Sequence, residues 1–143
     1  MPYISDTKID LTGQSVTSNY IISSQHRRVG NPNKSIWTIS FEDEVTCFVH
    51  TITNKWKIGP DAWGIKVIGD ILQVVGLNND KQELKIARFV DGTNTDIWHG
   101  YPADYMRKSK DRPSTAVLKS WVKSGFITKA KMSKIRTGQS CNL

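Results

Sequence analysis

The fold class of this chain is decided by residues 64–90, GIKVIGDILQVVGLNNDKQELKIARFV. Short apolar runs alternate here with turn-forming pairs such as Gly69-Asp70 and with the polar stretch at 78–81, in which Asn and Asp tolerate left-handed backbone angles. This pattern predicts three strands, over residues 64–68, 71–77 and 83–90. Because the connections are too short for a helical crossover, we expect the strands to pair antiparallel.

Upstream of this segment, a second group of apolar residues predicts a hairpin. Apolar and polar side chains alternate over residues 36–41, a further apolar run covers 45–53, and the acidic stretch 42–44 lies between them. The interpretation is two strands joined by an acidic turn, which gives a meander of about five strands in all. Residues 1–35 are polar and irregular, with turn formers at 30–33 and a short strand expected at 20–24.

Downstream, the sequence predicts two short helices. Asp111 or Ser114 can cap a first helix over residues 115–123, and Thr128 can cap a second over 129–137. A DNA-reading helix-turn-helix is not favoured for this pair, because Trp121 occupies a position where the two helices would need a small residue in order to cross closely. A plain helical hairpin is the better interpretation.

The expected fold is therefore α+β, with an antiparallel sheet of about five strands followed by two C-terminal helices packed on one face. We expect a single domain over residues 1–143: an irregular segment (1–35), the sheet (36–92), and a loop leading into a basic helical region (93–143).

Charge is distributed unevenly along the chain, and this asymmetry is the first indication of function. The net charge is +7, yet residues 107–143 hold ten Lys and Arg against a single acid, a net +9, which leaves −2 for residues 1–106. Clustered cations gain free energy by releasing counterions condensed on phosphates, so the basic segment predicts an RNA or DNA backbone as partner. The alternatives are an acidic protein surface, which would make this an adaptor, and a merely solvated face.

Aromatic residues near basic ones extend this prediction. Trp56 and Trp63 lie in and just after a loop that contains Lys55 and Lys57, an arrangement suited to stacking on unpaired bases. The residues expected to contact nucleic acid are Arg107, Lys108, Lys110, Arg112, Lys129, Lys131, Lys134, Arg136 and Trp56.

The densest cluster of chemically versatile side chains is at 98–102, WHGYP, which we expect to be a loop after the last strand. His99, oriented by Asp96, could transfer protons near neutral pH, and Tyr101 could donate to developing negative charge. With His26 or His50 as a second proton-transfer group, the cluster predicts a metal-independent ribonuclease as the alternative function. The structural alternative makes the aromatic residues core anchors and His99 a partner for a buried backbone group.

Other classes of site and location are disfavoured. Cys47 and His50 would point to opposite faces of a strand, so no metal site is expected, and no cofactor-binding motif is present. The apolar runs are far shorter than the roughly 20 residues that a membrane-spanning helix needs. The sequence shows no secretory signal, which predicts a cytoplasmic location and reduced thiols, and it indicates no particular oligomeric state.

Overall fold

The computed structural model describes residues 3–14, 18–28 and 34–143, and the turn expected at 30–33 lies outside them. Within those residues the fold is α+β, built from short strands and three α-helices. The helices are α1 (Phe41–Thr53), α2 (Thr115–Lys123) and α3 (Lys129–Arg136). The strands are β1 (Lys8–Asp10), β2 (Asn19–Ile21), β3 (Ile36–Trp37), β4 (Lys57–Ile58), β5 (Asp61–Gly64), β6 (Val67–Ile68), β7 (Ile71–Leu72), β8 (Gly76–Leu77), β9 (Glu83–Leu84), β10 (Ile86–Val90) and β11 (Ile97–Ala103).

The main sheet has six strands in the order β1-β2-β11-β10-β5-β4. Its long strands β10 and β11 are antiparallel neighbours near the centre, as the short connection between them requires. By contrast, β2 pairs with β11 in parallel, a pairing that the sequence did not predict. Most of the chain separates these two strands, so no tight turn forces them to run in opposite directions. Smaller sheets join β3-β8-β9 and β6-β7.

The prediction of an acidic turn and a strand at 42–53 is wrong, because these residues form helix α1. The Ser40 hydroxyl accepts a hydrogen bond from the Asp43 backbone N–H at 3.1 Å, and the acidic residues of the first turn complement the positive end of the helix dipole. The β-branched residues of this segment favour a strand, but burial of Val45 and Phe48 against the sheet stabilises the helix. The predicted layout of a sheet followed by two helices therefore changes, since α1 lies mid-chain.

The three strands predicted over 64–90 are present as antiparallel segments, but each is shorter or divided. Gly69 and Asp70 both have positive φ values, 57° and 65°, and they turn β6 directly into β7. The turn at 78–81 also forms, with Lys81 at φ 62°. Of the strand expected at 36–41, only β3 is formed.

The two C-terminal helices are confirmed almost to the residue. Ser114 caps α2 by accepting from the Val117 N–H, and Thr128 caps α3 by accepting from the Lys131 N–H. Both hydrogen bonds join residues three positions apart, so the sequence alone is enough to predict them. Asp111, the alternative cap, is buried instead and serves another purpose described below.

Two hydrophobic clusters lie on opposite faces of the main sheet. On one face, Phe89 of β10 and Trp98 of β11 pack with Phe48 of α1. On the other, Trp63 of β5 belongs to the cluster that contains Trp121 of α2. The second cluster covers only part of its face, and the uncovered part of β10 and β11 forms the floor of the cleft described next. No helix within the described residues is long and apolar enough to cross a membrane.

Candidate functional site

The stretch at 98–102 lies in strand β11 rather than in the predicted loop. Successive side chains of a strand point to opposite faces, so Trp98 is buried in the core while His99 and Tyr101 point to the other face. Gly100 permits this arrangement, because a Cβ atom there would lie 2.7 Å from Phe89 Cε1. The core therefore supports the strand from beneath, and the two polar rings face outward.

Strand β10 completes the floor of the cleft through its register with β11. Arg88 lies directly opposite Tyr101, and Val90 lies opposite His99. Directly opposed residues on neighbouring strands point to the same face, so these four side chains form one surface.

A second imidazole, that of His26, reaches this surface from the N-terminal part of the chain. Its ring stacks on Tyr101 with centroids 5.0 Å apart and planes 16° apart. Its Nδ1 atom lies 3.0 Å from the Ser35 carbonyl oxygen, which can only accept a hydrogen bond. Nδ1 therefore carries the hydrogen in the neutral ring, and Nε2 keeps its lone pair. His50, the other predicted partner of His99, instead packs against Trp56 at 5.2 Å.

His26, together with the outward-facing side chains of β10 and β11, lines an open cleft of about 280 Å³, which we call the histidine cleft. Its lining consists of His26, Lys34, Ser35, Arg88, Val90, His99, Tyr101, Lys108 and Lys110. Four of these are cationic, and none of the lining residues, all within the described part of the chain, is acidic. The arrangement favours an anionic ligand that can accept several hydrogen bonds, such as a phosphate group.

Burial, together with the nearby cations, lowers the pKa of both imidazoles in the histidine cleft. The pKa of His26 is lowered from 6.5 to about 4, mainly by burial and further by nearby Lys34 and Lys108, although the hydrogen bond to Ser35 acts in the opposite direction. Partial desolvation lowers the pKa of His99, and Lys34 and Arg88 add to that effect. His26 is therefore uncharged at neutral pH.

The ring of Tyr101 lines the cleft, but its hydroxyl is hydrogen-bonded to a buried carboxylate. Its hydroxyl donates to Asp111 Oδ1 at 2.7 Å and accepts from the Arg88 guanidinium. Burial and the bond to Asp111 raise the pKa of Tyr101. Arg88 in turn donates to Asp61 Oδ1 at 2.6 Å, and burial would lower the pKa of its guanidinium, but Tyr101 and Asp61 raise it overall. The Tyr101 O–H therefore points to Asp111, and it is not directed at a ligand in the cleft as the predicted role would require.

The predicted pairing of Asp96 with His99 is not what the structure shows. Asp96 Oδ1 accepts hydrogen bonds from Trp98 Nε1 at 2.9 Å and from the Ser18 hydroxyl at 2.8 Å. Asp96 lies in the turn before β11, with a φ of 62°, and its side chain holds that turn to the core. The carboxylate whose charge raises the pKa of His99 is Asp91.

The predicted basic contacts divide into distinct groups. Arg107 is paired with Asp80, and the Arg112 Nε donates to the Tyr105 carbonyl oxygen at 2.8 Å, so both arginines make contacts within the protein. Lys108 and Lys110 line the histidine cleft.

The remaining predicted contacts belong to α3 and to Trp56. In the described part of the chain, no ion pair involves the four cations of α3, which are Lys129, Lys131, Lys134 and Arg136. Trp56 is only 4% exposed, and its ring packs edge-to-face on Trp121 at 5.8 Å. It is a core residue, so the stacking platform predicted there is not present on the surface.

Cys47 and His50 lie in helix α1 rather than in the expected strand. Cys47 is buried in the core, where burial raises the pKa of its thiol to about 12, whereas His50 lies on the exposed side. Among the described residues, no three His, Cys, Asp or Glu side chains come together as a metal site.

Comparison with protein-family models, with curated proteins and with solved structures finds no significant match to this chain.

Proposed function

We propose that this protein binds nucleic acid and holds a backbone phosphate in the histidine cleft. The observation that carries the proposal is the convergence of Lys34, Arg88, Lys108 and Lys110 with two imidazoles around one open cavity. These side chains come from four separate parts of the sequence, and the fold brings them to one place. A phosphate offers negative charge and several acceptor oxygens to the ammonium and guanidinium N–H groups of this set.

The cations of α3 supply a second, exposed surface for further phosphates. Lys129, Lys134 and Arg136 are all exposed to solvent. Contacts of this kind contribute affinity through counterion release without reading base sequence. The proposal thus keeps the predicted nucleic-acid partner and moves its principal contact from the helices to the cleft.

Fluorescence polarisation with labelled 12-nucleotide single-stranded RNA and DNA, at 50 and 200 mM salt, tests the proposal. Changing Lys108 and Lys110 to Gln should reduce the slope of log K against log salt by about 0.7, since the cleft holds one phosphate and each phosphate contact with a single strand contributes about 0.7. The matched control changes Lys119 and Lys123, which are exposed on α2, and should leave the slope unchanged.

Two results would contradict the proposal. One is an unchanged slope in the Lys108/Lys110 variant together with wild-type affinity, which would place the contact elsewhere. The other is the absence of binding to either probe at 50 mM salt, which would favour an acidic protein as the partner. A separate variant that lacks the cations of α3 measures how much that helix contributes to the binding affinity.

A further inference from the structure

Resting on the nucleic-acid binding proposed above, we infer that the histidine cleft cleaves RNA by transesterification, with His26 as the general base and His99 as the general acid. RNA carries its own nucleophile, the 2′-hydroxyl, beside each phosphate. The reaction then requires two proton transfers and stabilisation of negative charge on phosphorus. The cleft holds two imidazoles and four cations, which are the groups that meet these requirements.

His26 has the arrangement of a general base. Its Nδ1–H is occupied by the Ser35 carbonyl oxygen at 3.0 Å, and its ring plane is fixed by stacking on Tyr101. Nε2 is therefore the nitrogen left to accept a proton. Because His26 is 8% exposed and lies near Lys34 and Lys108, the ring is neutral at neutral pH. A bound phosphate offsets this positive charge and so raises the affinity of Nε2 for a proton.

His99 is the better placed of the two to be the acid. It is exposed at the edge of the cleft, on the strand that carries Tyr101, and the charge of Asp91 favours its protonated form. A bound phosphate adds a negative charge that offsets the effect of Lys34 and Arg88, so substrate binding itself promotes protonation of His99.

The proposed step balances without any further reactant. Nε2 of His26 takes the proton of the 2′-hydroxyl, and the 2′-oxygen forms a bond to phosphorus. The bond between phosphorus and the 5′-oxygen breaks, and the leaving oxygen takes a proton from the His99 imidazolium. Lys34, Lys108 and Lys110 face the negative charge that develops on the non-bridging oxygens. The products are a 2′,3′-cyclic phosphate and a free 5′-hydroxyl, and water restores the two protonation states.

The test uses the full chain with a 20-nucleotide randomised single-stranded RNA pool and a DNA pool of the same length. The variants are His26→Asn, which keeps an N–H donor at the distance of Nδ1, and His99→Gln, with His50→Gln as the control outside the cleft. We expect wild-type protein to shorten RNA but not DNA and to leave 2′,3′-cyclic ends detectable by mass spectrometry. Each cleft variant should cleave about 10²- to 10⁴-fold more slowly, a loss much larger than the loss of RNA binding by the same variant, whereas the control should match wild type in both.

An RNA in which sulfur replaces the leaving 5′-oxygen assigns the two roles. A thiolate leaves without a proton, so this substrate should restore the rate of His99→Gln and leave His26→Asn slow. Restoration of both variants or of neither would overturn the assignment.

The outcomes also separate this inference from the binding proposal. Binding of RNA without shortening, or cleavage at the wild-type rate by His26→Asn or His99→Gln, would overturn the inference and leave the binding proposal standing. Failure to bind either pool would overturn both.

Discussion

Acidification should destabilise the folded protein through His26. Its pKa falls from 6.5 to about 4 on folding, because the ring is buried and faces Lys34, Lys108 and His99. Between these values the unfolded chain binds the proton and the folded chain does not, so stability decreases as the pH falls from 6.5 towards 4. At 1.36 kcal/mol per pKa unit, the loss attributable to His26 at pH 4 is about 3 kcal/mol.

Urea unfolding at pH 7, 5.5 and 4 measures this loss. His26→Asn retains a donor for the Ser35 carbonyl but cannot titrate, so the stability difference between this variant and wild type should shift by about 3 kcal/mol over that range. His50→Gln, at an exposed position, should retain the wild-type pH dependence. Parallel pH curves for wild type and His26→Asn would refute the reasoning, as would NMR titration of the His26 ring near its ordinary pKa.

Two further predictions concern the support beneath the histidine cleft and the buried charge of α1. Gly100→Ala should cost about 1–3 kcal/mol, because the added methyl group meets the aromatic ring packed beneath β11. Gly92→Ala should be tolerated, because a methyl group there would lie in open space. Thermal denaturation compares the two variants, and equal melting temperatures would contradict the packing described. Glu44→Gln should cost about 3 kcal/mol, the lower end of the range for a buried pair, because it leaves Arg27, whose side chain is 16% exposed, without its counter-charge. The exposed Glu42→Gln should change stability little, and a urea midpoint for Glu44→Gln equal to that of wild type would show that the ion pair is not needed.

The parts of the fold that the sequence predicted are those with local signals. The caps at Ser114 and Thr128 are hydrogen bonds to residues three positions away, so helices α2 and α3 can be recognised without knowledge of the rest of the chain. The turn at Gly69 and Asp70 is similarly local. In each case the signal lies in the cap or turn itself, so a short stretch of sequence is enough to predict the local structure.

Helix α1 was missed because its local signals disagree. Valine, threonine and isoleucine predominate over residues 45–53, and an alternating pattern precedes them. The cap at Ser40 and the apolar spacing of Val45 and Phe48 favour a helix, and packing against the sheet decides between the two.

The candidate site was only partly predictable for a related reason. His99 and its aromatic neighbours stood out as a cluster, but the alternation of β11 determines which of them point into the cleft. His26 is far away in sequence, and it reaches Tyr101 on the side where β2 joins β11 in parallel. Asp96 is close to His99 in sequence, but the turn at 91–96 directs its side chain to Trp98 instead.

The central claim is that a phosphate of the nucleic acid lies between His26 and His99. The most direct test is a ¹H–¹⁵N NMR spectrum of the three histidine rings during titration with an unlabelled single-stranded 12-nucleotide DNA, which lacks the 2′-hydroxyl and stays intact. We expect the His26 and His99 signals to move together along one binding curve, towards the protonated form for His99, while the His50 signals remain in place. Saturable binding that leaves the His26 and His99 signals unmoved would contradict the claim.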